Sequence, residues 1–315
     1  MQILESTNVN HLLIAGINEL TRNGERMDSR NGPVMVSPYP VISIFHRPDQ
    51  RVLFNPARDA NPFFHLFEAI WMLAGRNDVD FVAEFVPRMR EYSDDGKTLN
   101  GAYGYRWREH FCADQIKLLV EELNNHQSRR AVLTMWDGED LLTTESKDIP
   151  CNTHIYFRIV NGKMDMTVCN RSNDIIWGLY GANTVHLSIL HEFIASAVGV
   201  PLGVYRHLSN NFHLYPKNVN YRNIAAGGII DYYNPNLDNS VTPTSLEVSP
   251  TNWELFLTEC ELFCHDPFSK FASPFLQHTA QPMYELWKTR DAKDIPSIAG
   301  EDWARAAEQW IQRRK

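Results

Sequence analysis

Pro150-Cys151-Asn152-Thr153-His154-Ile155-Tyr156-Phe157, followed after one hairpin by Asn170-Arg171-Ser172-Asn173-Asp174-Ile175-Ile176-Trp177-Gly178, decides how this chain is to be read. Ile155 to Val160 and Lys163 to Cys169 have strand composition, and Asn161-Gly162 between them is a strong type I′ turn signal. Pairing across that turn returns Asn170 to Asp174, after the second strand, to Cys151, before the first. A thiol attacks only as its thiolate, and a neighbouring guanidinium both lowers the thiol pKa and offers a planar fork to a phosphate or carboxylate. Taken singly, a cysteine and an arginine are more often a buried core residue and a solvated charge. The pattern around these two favours a nucleophile beside an anion clamp.

The whole chain, 315 residues with 43% hydrophobic and 22% charged, has the composition of an ordinary soluble globular protein, read as one domain over 1–315. No apolar run reaches membrane-spanning length, and Met1 to Ser6 lacks the basic and apolar regions of a signal peptide, so the expected compartment is the cytoplasm of a bacterium or a phage-infected host. Five cysteines without a paired framework fit a reducing compartment. Cys260, Cys264 and His265 read as a buried helical face, because no second ligand pair stands at zinc spacing, and no metal is expected. A formal charge of −8 argues against binding polymeric nucleic acid, which needs a broad basic surface. One phosphate needs only a local basic pocket, so a mononucleotide remains compatible.

Helical spacing is predicted over residues 8–23, followed by a strand from Val34 to Phe45. Phe63 to Ala74 is an apolar-rich helix set between Pro62 and Gly75. Asp80 to Tyr92 forms a further helix interrupted at Pro87, Asp114 to Asn124 is amphipathic, and Arg130 to Trp136 is a strand. Asn183 to Val198 returns to helical spacing, and Val204 to Leu208 is a strand leading into Ser209 to Tyr215. Helices near Trp253 to Phe263 and Asp302 to Arg313 make a C-terminal extension over about 250–315. Strands and helices without regular alternation indicate the α+β class.

Three features together carry a family resemblance: Pro150-Cys151, then Arg171-Ser172-Asn173-Asp174 about twenty residues later, then His213-Leu214-Tyr215. With Ser29 to Gly32, the helix His65 to Leu73, Tyr103 to Arg108 and Ser128 to Arg130, in one order over residues 25–220, the chain resembles the thymidylate synthase superfamily. The resemblance implies that superfamily's fold, a large mixed β-sheet covered by helices, dimerising sheet face to sheet face. It also implies a pyrimidine nucleoside monophosphate as substrate and 5,10-methylenetetrahydrofolate as co-substrate.

Residue by residue, the resemblance makes Cys151 the nucleophile that saturates carbon 6 of the pyrimidine and so activates carbon 5. Glu68, in an otherwise apolar helix, matches the carboxylate that takes the carbon 5 proton through water. Tyr103 matches a tyrosine near the nucleophile. Asn183 matches the asparagine at the base edge only if one residue is inserted after Gly178, and it equally suits a helix N-cap. Arg30, Arg171 and Ser172 match the phosphate site, with Arg129 and Arg130 reaching across from a partner subunit. His213 and Tyr215 match the sugar contacts, and strand alternation puts both on one face. Asp174 matches the contact to the folate pterin.

Elimination of the folate leaves an exocyclic methylene, which becomes methyl by hydride transfer or hydroxymethyl by addition of water. Three features lean toward water. Arg88 to Tyr92 lacks the tryptophan that synthases pack on the folate, the chain ends in Trp310-Ile311-Gln312-Arg313-Arg314-Lys315 rather than a short apolar tail, and the Cys151 and Arg171 segments are similar to the superfamily's dCMP and CMP hydroxymethylases. The leading expectation is folate-dependent hydroxymethylation of carbon 5, with dUMP favoured by Asn183 and dCMP and CMP left open. Thymidylate synthesis from dUMP is the alternative, and a non-catalytic nucleotide-binding relative is the second.

Overall fold

In the computed structural model, which describes residues 1–29, 32–124, 128–142, 145–217 and 220–315, the hairpin lies within the larger of two sheets. Asn161 and Gly162 both have positive φ, 51° and 73°, which the type I′ turn requires and which asparagine and glycine tolerate best. The strands are β1 (Gln2–Ser6), β2 (Glu25–Ser29), β3 (Gly32–Val36), β4 (Val41–Phe45), β5 (Val132–Thr134), β6 (Asn152–Val160), β7 (Lys163–Asn170), β8 (Asn173–Asp174), β9 (Leu202–Ser209) and β10 (Phe212–Leu214). The larger sheet runs β1-β4-β9-β7-β6-β5 and the smaller β2-β3-β10-β8. Both mix parallel and antiparallel pairs, β7 with β9 and β8 with β10 being parallel. The expected mixed sheet is therefore present.

One predicted strand divides. Val34 to Phe45 forms β3 and β4, which belong to different sheets. Ser37-Pro38-Tyr39-Pro40 separates them, and two prolines, with fixed φ and no N–H, interrupt the ladder. Pro87 acts in the same way, dividing α3 (Val79–Phe85) from a 3₁₀ turn over Pro87–Tyr92. The first helix, α1 (Val9–Asn23), starts where the Asn8 side chain accepts from the Asn10 N–H. α2 (Pro62–Leu73) is capped by Asn61, which accepts from Phe63 and Phe64, with Pro62 at its first turn. Each such cap contributes about 1 kcal/mol.

Beyond α3 the site is framed by α4 (Tyr103–Arg108), α5 (Gln115–Asn124) and α6 (Thr184–Val198). Every residue of α6 except Ser196 is buried, polar ones such as His186 and Glu192 included; it packs against α2 on one side and β7 and β9 on another. α4 lies directly on α2, for a Cβ at Gly104 would stand 2.0 Å from the Met72 carbonyl oxygen. Glycine at this position is what lets the two backbones meet. Arg106 then fixes α4 by two 2.7 Å bonds to buried Asp140 and one to the Met135 carbonyl. Removing one partner of such a buried pair costs about 3–5 kcal/mol.

The C-terminal region adds α7 (Tyr221–Ala226), α8 (Trp253–His265), α9 (Gln281–Thr289) and α10 (Glu301–Gln312). α8 and α10 pack on α2, where the rings of Phe63 and Trp310 meet edge to face at 5.4 Å. Cys260 and Cys264 are buried in α8, their thiols pushed up by burial. Among the described residues, no helix is long and apolar enough to cross a membrane.

Candidate active site

Cys151 stands half-buried at the last position before β6. The hairpin does what its turn dictates: Asn152 pairs with Asn170, and the Arg171 N–H donates to the Cys151 carbonyl at 2.9 Å. The Arg171 guanidinium donates to the carbonyls of Pro150 at 3.0 Å and Ile149 at 2.9 Å and lies over the Trp136 ring. It thus braces the loop that presents the thiol. The Tyr103 hydroxyl accepts from the Asn152 N–H at 3.3 Å. Burial first, then the neighbouring Cys151 sulfur, pushes that phenol well above its usual range, so it stays a neutral O–H donor beside the Cys151 thiol.

Glu68 reaches the same region from α2, because α4 and α2 touch at Gly104. It is 14% exposed, and its carboxyl is pushed up to about 8 by burial first and by the charge of Asp148 second. His186, on α6, places Nε2 3.1 Å from Glu68 Oε2. Burial drives that imidazole down to about 3, and no aligned hydrogen bond joins the two. At neutral pH the contact is between a protonated carboxyl and a neutral imidazole, not a salt bridge.

Asp148 was not singled out by the sequence, where it is merely an aspartate three residues before the cysteine. It accepts from the Gly101 N–H at 2.7 Å, and a Cβ at Gly101 would press on it at 2.9 Å. Asp148→Asn removes the charge that raises Glu68, so the carboxyl of Glu68 titrates at lower pH in that variant. The acidic limb of kcat/KM against pH is expected to move down; a limb that stays in place shows that Asp148 does not act on Glu68.

Asn183 arrives by a local winding change. Ile175–Asn183 is wound with π-type spacing, broken by non-helical backbone at Tyr180 and Gly181, and the Thr184 N–H donates to Leu179, five residues back. The kink at Tyr180 and Gly181 separates this stretch from the regular turns of α6, which begins at Thr184. Asn183 does not cap α6 with its side chain. It donates instead to Asn173 Oδ1 at 3.2 Å.

On the other side, β8 and β10 pair in parallel with His213 against Asp174. The Asp174 carboxyl accepts from the Ile176 N–H at 2.9 Å and is raised by burial, with His213 and Arg58 nearby. His213 bonds Asn211 Oδ1 at 2.8 Å, and its ring meets Tyr215 edge to face at 5.2 Å, so the two do share a face. Trp177, three residues after Asp174, exposes 47% of its surface while resting on Phe64 and Arg58. An exposed indole beside a buried carboxyl is a flat apolar platform with a polar edge; Trp177 is not among the residues that the resemblance singles out.

Not every expected residue joins this group. Arg30 lies outside the described residues. Arg129 is exposed, and the Arg130 guanidinium is held by Glu122 of its own chain at 3.0 and 3.1 Å. Both precede β5, the edge strand of the larger sheet. Ser172 is half-buried between Arg171 and Asn173. Among the described residues no group of three or more histidine, cysteine, aspartate or glutamate side chains stands ready for a metal ion.

Residues 17–227 match the sequence model of the family described as Thymidylate synthase. The chain is similar to the deoxyuridylate hydroxymethyltransferase of Pseudomonas phage M6, 43% identical over 333 aligned residues that take in 100% of this chain and 95% of the relative. Proteins of the same name from Bacillus phage SP01 and Delftia phage PhiW-14 are 36% and 30% identical, over 56% and 68% of this chain and 49% and 62% of the relatives.

Proposed function

Because the chain belongs to the thymidylate synthase family, we propose that it hydroxymethylates carbon 5 of dUMP, using methylenetetrahydrofolate and water. What supports this reading is a Tyr103 hydroxyl held on the Cys151 loop and a Glu68 carboxyl pushed up to about 8, both under the charge of Asp148, in a chain similar throughout its length to a phage deoxyuridylate hydroxymethyltransferase. The folate supplies the one-carbon unit. Asp174 would receive its pterin N–H groups and Trp177 its aromatic ring, and the exposed indole beside the buried carboxyl fits such a ligand.

The remaining steps belong to this chain's own groups. Cys151 Sγ adds to carbon 6, and the charge that appears on the O4 side of the ring is met by Asn183 and ordered water. A carboxyl titrating near neutrality can both give and take a proton, so Glu68 removes the carbon 5 proton through water once the one-carbon unit is attached. Tetrahydrofolate then leaves. A water oxygen bonds to the exocyclic methylene carbon, its proton passes to the Glu68 water chain, and Sγ departs from carbon 6 with its electron pair. Arg171, Ser172 and Arg30, with Arg129 and Arg130 of a partner subunit in a sheet-to-sheet homodimer, would hold the 5′-phosphate; His213 and Tyr215 would hold the sugar.

Oxygen-18 water distinguishes the two products of the family's shared intermediate. One heavy oxygen per product, with release of tetrahydrofolate, is expected. Methylated product with dihydrofolate would make the chain a thymidylate synthase, and nucleotide binding without either product would make it a non-catalytic relative.

A further inference from the structure

Behind Asn183 a line of side chains runs into the core. Asn173 Oδ1 accepts from Asn183, while Asn173 Nδ2 donates to His207 Nε2 at 2.9 Å and to Ser209 Oγ at 3.1 Å. The other ring nitrogen, Nδ1, lies 2.6 Å from the Tyr205 hydroxyl. Asn173, His207 and Ser209 are all buried, and Tyr205 is wholly buried and stacked on Phe45 at 4.8 Å. Burial holds the His207 imidazole neutral, down at about 3, so the ring carries one proton. If Nε2 accepts from Asn173, that proton is on Nδ1 and is donated to Tyr205.

This order of donors reaches the surface. With one N–H committed to Asn173, the Asn183 amide offers a carbonyl oxygen and its second N–H outward. Uracil presents an N3–H donor and an O4 acceptor, which match. Cytosine presents N3 as acceptor and an N4 amine as donor, which require the amide to be turned over. Turning it sets Asn183 Oδ1 against Asn173 Oδ1, acceptor against acceptor, unless Asn173 turns too and the His207 proton moves to Nε2. Gly178 leaves the space against the pair clear, for a Cβ there would lie 3.0 Å from Asn173 Oδ1 and 3.3 Å from Asn183 Nδ2.

We propose that Asn173, His207 and Tyr205 are positioning residues that fix which way the Asn183 amide faces, and that this buried relay, rather than Asn183 alone, selects uracil over cytosine. The inference rests on reading Asn183 as the base-edge residue. Its general ground is that a buried polar group left facing its own kind loses a hydrogen bond and keeps its desolvation cost.

The test is the ratio of dCMP to dUMP affinity, measured by calorimetry without folate, together with the same ratio in kcat/KM, for Asn173→Ala, Tyr205→Phe and Asn183→Ala. Asn173→Ala removes the acceptor that holds the amide and is expected to shift both ratios about tenfold toward dCMP. Tyr205→Phe, nearly isosteric, removes the partner of Nδ1 and is expected to shift them the same way by less; should Asn173→Ala not fold, it decides alone. A merely structural role would weaken both nucleotides together and leave the ratios unmoved. Unmoved ratios in Asn173→Ala and Tyr205→Phe beside a collapsed ratio in Asn183→Ala would overturn the relay only. An unmoved ratio in Asn183→Ala would overturn the reading of Asn183 itself.

Discussion

Cys151→Ala is expected to lower turnover by at least about 10⁴-fold while leaving dUMP affinity within about threefold. The asymmetry follows from where the thiol sits. It is half-buried at a strand entrance, so its removal opens no large core cavity. Of the groups proposed for phosphate and sugar, Arg171 is held by the Ile149 and Pro150 carbonyls and His213 by Asn211, none of them through the thiol. What is lost is the covalent step, without which carbon 5 has no nucleophilic character. Intact-mass measurement with 5-fluoro-dUMP and methylenetetrahydrofolate gives a direct readout: a stable adduct in the unsubstituted protein, none in the variant. Undiminished activity in Cys151→Ala would reject the mechanism.

Glu68→Gln is expected to cost about 10³-fold in kcat/KM, within the usual span for a general acid–base group. The pH behaviour separates this role from simple packing. Glu68 must be ionised to take a proton, and its carboxyl titrates at about 8, so activity in the unsubstituted protein rises through that pH. In the glutamine variant this limb is absent. Stability moves in a linked direction. Between an ordinary pKa of 4.5 and a folded value of about 8 the native state keeps a proton that the unfolded chain has released, so stability falls as pH rises across that window. Glutamine carries no such proton. The melting temperature of Glu68→Gln relative to the unsubstituted protein is therefore expected to climb from pH 5 to pH 8, by an amount corresponding to a few kcal/mol at most. A flat difference would place Glu68 in solvent with an ordinary pKa.

The features legible in the sequence were those that a short stretch of chain enforces. Asn161-Gly162 announced a turn because few residue pairs accept two positive φ angles, and that turn alone brings Arg171 back to Cys151. Pro87 announced a helix break for the same local reason. Val34 to Phe45 misled because strand composition does not say which sheet a strand joins; the prolines at 38 and 40 were the available signal. Asn183 at the base edge rests on a counting argument that allows one additional residue after Gly178, which no local pattern fixes.

The sequence by itself determined the family, and with it the groups proposed to react and their order, because turn, helix and motif signals are properties of neighbouring residues. Only the tertiary structure decided that Asp148 and His186 surround Glu68, that Arg171 braces the Cys151 loop, that Trp177 flanks Asp174, and that Asn183 leans on Asn173 and His207. Most of these are meetings of residues ten or more positions apart, and their chemistry comes from exclusion of water. Neither proximity nor desolvation is written in a local pattern.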